Sequence, residues 1–211
     1  MSRSATRSLI CALAILFSAT SALAGPLAGD GTSIWHSSTT FGSGSDPLQG
    51  YVDYAVYAAG VAPAGFTPIG PYTGPTASEY LYTYQVHVTG TAPLSELTVF
   101  FDNPADNIGT FTATGVTGGG ATSQTLFSAL YADWTFGAVA SGSQTVGLAF
   151  SSPFYPTNGL GTVVDHGTSQ LVIPLPVPSD RLIPEPSSLV LTSCGLGLLG
   201  LHWLRRRTRR S

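Results

Sequence analysis

Lysine is absent from this 211-residue chain, and charged residues of any kind make up only 9% of it. Between residues 25 and 183 the single arginine, Arg181, stands against ten acidic residues. Binding of nucleic-acid phosphates depends on lysine and arginine, because these side chains displace the condensed counterions. The composition therefore excludes nucleic acid as a partner of this region. The ten acidic residues are Asp30, Asp46, Asp53, Glu79, Glu96, Asp102, Asp106, Asp133, Asp165 and Asp180.

Cysteine is nearly as scarce. The chain has two, Cys11 and Cys194, and neither lies between residues 25 and 183. That region has the size of one domain and is long enough to bury a core. Since it has no disulfide to rely on, packing and hydrogen bonds between strands must hold it together.

The same region lacks any long apolar pattern of helical period and has short alternating runs instead. The clearest is 80–88, in which Tyr80, Tyr82 and Tyr84 share one face. Seven or eight short runs separated by turn residues predict an all-β fold, an antiparallel β-sandwich of immunoglobulin-like or jelly-roll-like kind. An irregular β-barrel is the alternative. The predicted strands are 51–58, 80–88, 97–101, 109–116, 130–136, 144–150, 162–164 and 170–173.

The N-terminal segment has the composition of an export signal. Two arginines in the first seven residues precede an apolar run over 9–17. Ala22 and Ala24 then supply the small residues of a cleavage site. This order predicts a secretory signal peptide over residues 1–24, used in Sec export and removed by signal peptidase.

The C-terminal segment is apolar and then strongly basic. Its apolar run over 187–204 has 18 residues, which gives a helix of about 27 Å, just short of a hydrocarbon core of about 30 Å. We predict a transmembrane helix with its basic end in the cytoplasm. A buried core helix and a permanent single-pass anchor are the alternatives. The basic residues over 205–211 are Arg205, Arg206, Arg207, Arg209 and Arg210.

Directly before the apolar run stand Pro184, Glu185 and Pro186. The prolines keep the backbone extended, so that an enzyme can read it. Motif, apolar run and arginine cluster together resemble the PEP-CTERM sorting signal of Gram-negative bacteria that make exopolysaccharide. The resemblance implies that an exosortase-type enzyme recognises and processes the tail, 184–211. It also implies an inner-membrane-anchored precursor that is later sorted to the cell surface or extracellular matrix.

A proline-rich stretch precedes the motif. Pro174, Pro176 and Pro178 favour an extended polyproline conformation. We therefore predict a semi-rigid linker over 175–183, which leaves 25–174 as the secreted domain.

No arrangement of residues in the domain indicates catalysis. The serines of 42–46 lack the nucleophile pattern Gly-x-Ser-x-Gly, and the glycines of 118–120 have no lysine after them. His36, His87 and His166 match no zinc spacing. The sequence predicts a protein that is not an enzyme and has no cofactor.

The best candidate for a ligand site is the segment 102–107. Asp102, Asn103, Asp106 and Asn107 offer side-chain oxygens to a calcium ion. An ordinary turn rich in Asp and Asn is the preferred interpretation, since the Asp-x-Asp-x-Asp-Gly order is absent.

Six tyrosines on the predicted strands allow a second ligand hypothesis. Packing in the core is the preferred interpretation, because tyrosine suits the half-buried surface of a strand. The alternative is a sugar-stacking platform, which would make the domain a carbohydrate-binding module for exopolysaccharide. The residues are Tyr51, Tyr54, Tyr57, Tyr80, Tyr82 and Tyr84.

Overall fold

The computed structural model describes residue 27 and residues 31–127, 130–165 and 170–179. The predicted signal peptide (1–24) and sorting tail (184–211) lie outside these residues. Among the described residues, no helix has the length and hydrophobicity to cross a membrane. The strands of the described part are β1 (Ser33–Phe41), β2 (Gly50–Tyr57), β3 (Thr67–Ile69), β4 (Tyr80–Val88), β5 (Leu94–Phe100), β6 (Asn107–Thr112), β7 (Ser123–Phe127), β8 (Tyr131–Val139), β9 (Gly147–Ser152), β10 (Tyr155–Asp165) and β11 (Gln170–Ser179).

The described strands form two antiparallel sheets. The first has the order β1-β2-β4-β9-β6-β3 and the second the order β11-β10-β5-β8-β7. The prediction of an all-β, sandwich-like fold is confirmed. Each of the eight predicted runs overlaps a strand, and 80–88 has the bounds of β4. The sequence did not predict β1, β3 or β7.

The core lies between the sheets and is rich in large side chains. Trp134 of β8 is fully buried between the layers, and its indole ring lies near Tyr84 and Phe150. Its Nε1 donates a hydrogen bond of 3.0 Å to the carbonyl oxygen of Gly109 in the opposite sheet. The bulkiest core residue thus ties the two layers together by packing and by a polar contact.

The buried tyrosines place their hydroxyl groups on backbone carbonyls. Tyr57 donates to the carbonyl oxygen of Leu27 at 2.8 Å, and Tyr82 to that of Phe154 at 2.7 Å. Tyr57, Tyr82 and Tyr84 have no exposed surface. The packing interpretation is confirmed for them, and the sugar-platform alternative is wrong there, because a buried ring cannot stack on a sugar.

Both faces of β4 are buried, although its sequence alternates. The connections on either side of β3 cover part of the first sheet's outer face, where Phe66 and Tyr72 pack over Leu81 and Phe111 in a second apolar cluster. Gly109 permits this close cover, because a Cβ there would lie 2.1 Å from the Cβ of Tyr72. The first sheet is therefore buried on both faces around β4.

The last described strand corrects the predicted linker. β11 continues to Ser179, which pairs with Tyr155 of β10. Residues 175–179 thus belong to the sheet, and 180–183 lie outside the described residues. Proline lacks an N–H and cannot donate a hydrogen bond to a neighbouring strand. It is tolerated in β11 because β11 is an edge strand, with a neighbour on one side only.

Candidate functional site

A row of apolar side chains crosses the second sheet on the side facing away from the core. The register places Leu160 of β10 beside Phe100 of β5, then Tyr131 of β8, then Phe127 of β7. Leu160 is 55% exposed, Phe127 52% and Phe100 41%. We call these four residues the aromatic row, since three of them are aromatic. Adjacent strands are about 4.8 Å apart, so the aromatic row is about 14 Å long.

The rings of the row have a defined arrangement. Tyr131 stacks on Phe127, with ring centroids 5.4 Å apart and planes 7° from parallel. On its other side Phe100 meets it edge-on at 6.4 Å. Both geometries are favourable for aromatic pairs, so each ring is held in place by its neighbour.

A cavity of about 640 Å³ opens at the β5 and β10 end of the row. Its apolar lining includes Phe100, Tyr131 and Leu160. Its polar side includes Asp102, Asn103 and Asn158. Its volume lies within the range of small-ligand sites, about 300–1,000 Å³. We call these six residues the Phe100 cleft.

Beside the aromatic row lies a pair of acidic side chains that share one hydroxyl group. The Oγ1 of Thr98 is 2.8 Å from an oxygen of Glu96 and 3.1 Å from an oxygen of Asp133. The hydroxyl has one proton and cannot donate fully to both. Burial first, and then the charge of Glu96, raises the pKa of Asp133 above its usual value.

This raised pKa predicts a pH-dependent effect of Asp133→Asn. A carboxyl group with a raised folded-state pKa supports folding below its unfolded pKa, and that support is lost as pH rises through the folded value. The variant should therefore gain stability relative to wild type towards neutral pH and gain none in acid. Thermal unfolding followed across that range measures the difference.

Glu96→Gln serves as the matched variant for this prediction. It removes the other carboxylate and should give a gain of the same sign. The double variant should gain less than the two single gains added, because either change removes the same repulsion. A loss of melting temperature in Asp133→Asn at neutral pH would contradict the assignment.

The four calcium candidates fall into two different surroundings. Asp102 and Asn103 line the Phe100 cleft. Burial and the nearby Glu79 carboxyl raise the pKa of Asp106, while the side-chain amide of Asn107 donates to the hydroxyl of Thr73 at 2.9 Å. In the described ranges, no group of three or more His, Cys, Asp or Glu side chains is placed to hold a metal ion.

The histidines are also separated. His87 lies 3.0 Å from the carboxylate of buried Asp53, an ion-pair distance without the alignment of a hydrogen bond, and its ring stacks on Tyr51 at 4.4 Å. His36 contacts the hydroxyl of Ser33 at 2.9 Å. His166 lies outside the described residues. The adjacent strands β2 and β4 bring Asp53 and His87 together, and the sequence did not predict this pair.

Comparison with known proteins adds no assignment: no family model, no curated protein and no solved structure matches this chain. The candidate site therefore depends on its own geometry. Sequence reasoning placed Phe100 and Tyr131 in predicted strands but did not identify them as a surface. Alternation within 97–101 and within 130–136 shows which residues of each strand share a face. Only the pairing of β5 with β8 shows that the rings of Phe100 and Tyr131 meet.

Proposed function

We propose that this chain is an exported, non-enzymatic protein whose tail directs it to the cell surface or to an extracellular exopolysaccharide matrix. Sec export and signal peptidase act on residues 1–24. An exosortase-type enzyme then acts at Pro184, Glu185 and Pro186, while the helix over 187–204 anchors the precursor in the inner membrane.

The observation that carries this proposal is the separation of charge along the chain. The described residues contain no lysine or arginine, whereas five arginines follow the apolar run at the C-terminus. Arginines next to a membrane segment stay on the cytoplasmic side. A domain without lysine or arginine can cross the membrane. The domain and the C-terminal arginines are therefore suited to opposite sides of it.

The end of β11 sets the distance between the body and the proposed processing site. Ser179 is the last residue of the strand, and only residues 180–183 separate it from Pro184. Five steps of at most about 3.6 Å place the motif within about 18 Å of the sheet edge. The processing enzyme would therefore act close to the sandwich, and the spacer is shorter than the proline content predicts.

Two alternatives remain within the proposal. A permanently anchored single-pass surface protein would keep its tail, and a carbohydrate-binding module would have a sugar as its ligand. An immunoglobulin-like or jelly-roll-like topology is the finer fold that we propose for the sandwich.

Mass spectrometry of the protein purified from its own cells tests the sorting proposal. We expect the wild-type protein to lack the C-terminal arginines and Glu185→Ala to retain them, because the substitution removes the motif's only charge. Ser188→Ala, a substitution by the same residue just after the motif, should be processed like wild type. An intact arginine-terminated chain in all three samples would leave the permanent anchor as the explanation.

A further inference from the structure

The aromatic row and the Phe100 cleft form one continuous surface. Phe100 and Tyr131 line the cleft and also the neighbouring shallow groove, which includes Glu96, Thr98 and Asp133. We infer that this surface binds a neutral polysaccharide. The inference rests on the carbohydrate-binding alternative above and is independent of how the tail is processed.

The lining of the surface matches both sides of a sugar ring. A pyranose has faces of C–H groups, which pack on apolar side chains, and a rim of hydroxyl groups that need hydrogen-bond partners. Phe100, Phe127 and Leu160 supply exposed apolar surface. Asp102, together with the amides of the cleft, supplies donors and acceptors beside them. A purely apolar ligand would leave these polar groups without partners.

The shape of the surface favours a chain of sugars over a single one. The row is about 14 Å long, which exceeds one sugar ring, and it runs across four adjacent strands. Leu160 at one end and Phe127 at the other are both more than half exposed. A polysaccharide can therefore lie along the row and place one residue in the cleft.

The charge of the surface selects neutral over anionic polysaccharides. Asp102 lies in the cleft, and Glu96 and Asp133 lie beside the row. No lysine or arginine occurs anywhere in the described residues to offset them. A polymer that carries carboxylate or sulfate groups would be repelled here.

The same acidic groups argue against a second copy of this chain as the occupant. Two copies packed through this face would bring the Glu96 and Asp133 pairs of both towards one another. Like charges brought into contact at an interface are unfavourable. Neutral hydroxyl groups carry no such penalty and can donate to the carboxylates.

Affinity electrophoresis of the full-length protein tests the inference. The protein is run in a detergent without a sugar headgroup, through gels that contain dextran, mannan or galactan, and through an alginate gel as the anionic comparison. At least one neutral polymer should retard the wild type, and alginate should not. Phe100→Ala and Tyr131→Ala should each weaken binding about three- to tenfold, the effect of losing one aromatic contact.

Tyr155→Ala is the matched control. Tyr155 is 41% exposed, as is Phe100, but it lies outside the cleft and contacts Tyr80. This variant should bind like wild type. Near-ultraviolet circular dichroism and melting temperature are measured on all variants, so that a folding defect is not counted as lost binding.

Four outcomes would overturn the inference. These are no retardation by any neutral polymer, retardation by alginate alone, equal binding by wild type and Phe100→Ala, and concentration-dependent self-association that Phe100→Ala abolishes. The last result would assign the face to a second copy. None of them bears on tail processing, since Glu185→Ala in cells tests that separately.

Discussion

Replacement of Trp134 by alanine should lower the free energy of unfolding by about 3–5 kcal/mol, the usual cost of truncating a fully buried aromatic residue. The side chain has no exposed surface and packs between the sheets near Tyr84 and Phe150. Truncation leaves a cavity at this contact between the layers. It also leaves the carbonyl oxygen of Gly109 without its 3.0 Å donor. Chemical denaturation followed by fluorescence and circular dichroism measures the loss.

Two variants separate the contributions to this effect. Trp134→Phe keeps most of the ring volume but removes the donor, so it should cost less than Trp134→Ala. Trp35→Ala is the matched control, because Trp35 lies only partly buried against the same core. If Trp35→Ala cost as much as Trp134→Ala, Trp134 would not be the central contact between the sheets.

Replacement of His87 by alanine should also destabilise the protein, by about 1–3 kcal/mol, the cost of leaving a buried polar group without a partner. Asp53 is 1% exposed, and neither of its carboxylate oxygens has a hydrogen-bond partner in the structure. His87 is the group that lies 3.0 Å from this carboxylate. Without it the buried carboxyl group loses this polar contact. Urea unfolding at constant pH measures the change.

A double-mutant cycle distinguishes this polar contact from simple packing. The variant that carries both Asp53→Ala and His87→Ala should be more stable than His87→Ala alone, because it removes the unpartnered carboxyl group as well. The stacking of His87 on Tyr51 is lost in both backgrounds and therefore cancels. Strictly additive losses would contradict the pairing.

The two sheets differ in a way that bears on function. The first is closed to ligands where the connections on either side of β3 cover its outer face, over the buried cluster around Tyr72 and Phe111. The second exposes Phe100, Phe127 and Leu160 on its outer face. Exposed apolar side chains in a contiguous patch are typical of binding surfaces. A ligand is therefore expected to bind on the outer face of the second sheet.

Several features could be predicted from the sequence because they depend on local patterns. Alternation over 80–88 predicted β4, and short alternating runs without a helical period predicted a body built from strands. The linker prediction failed at 175–179, where proline content favours an isolated extended chain. An extended chain also fits an edge strand, and composition does not distinguish the two.

The candidate site could not be predicted, since strand register determines it. Local patterning selects strands and the core face of each, because side chains alternate along an extended backbone. It does not state which strands become neighbours. The sequence by itself determined the strand-built body, its acidic charge and the basic end. Only the tertiary structure decided that Phe100 meets Tyr131 and that Asp53 meets His87, because those contacts join residues far apart in the chain through the pairing of strands.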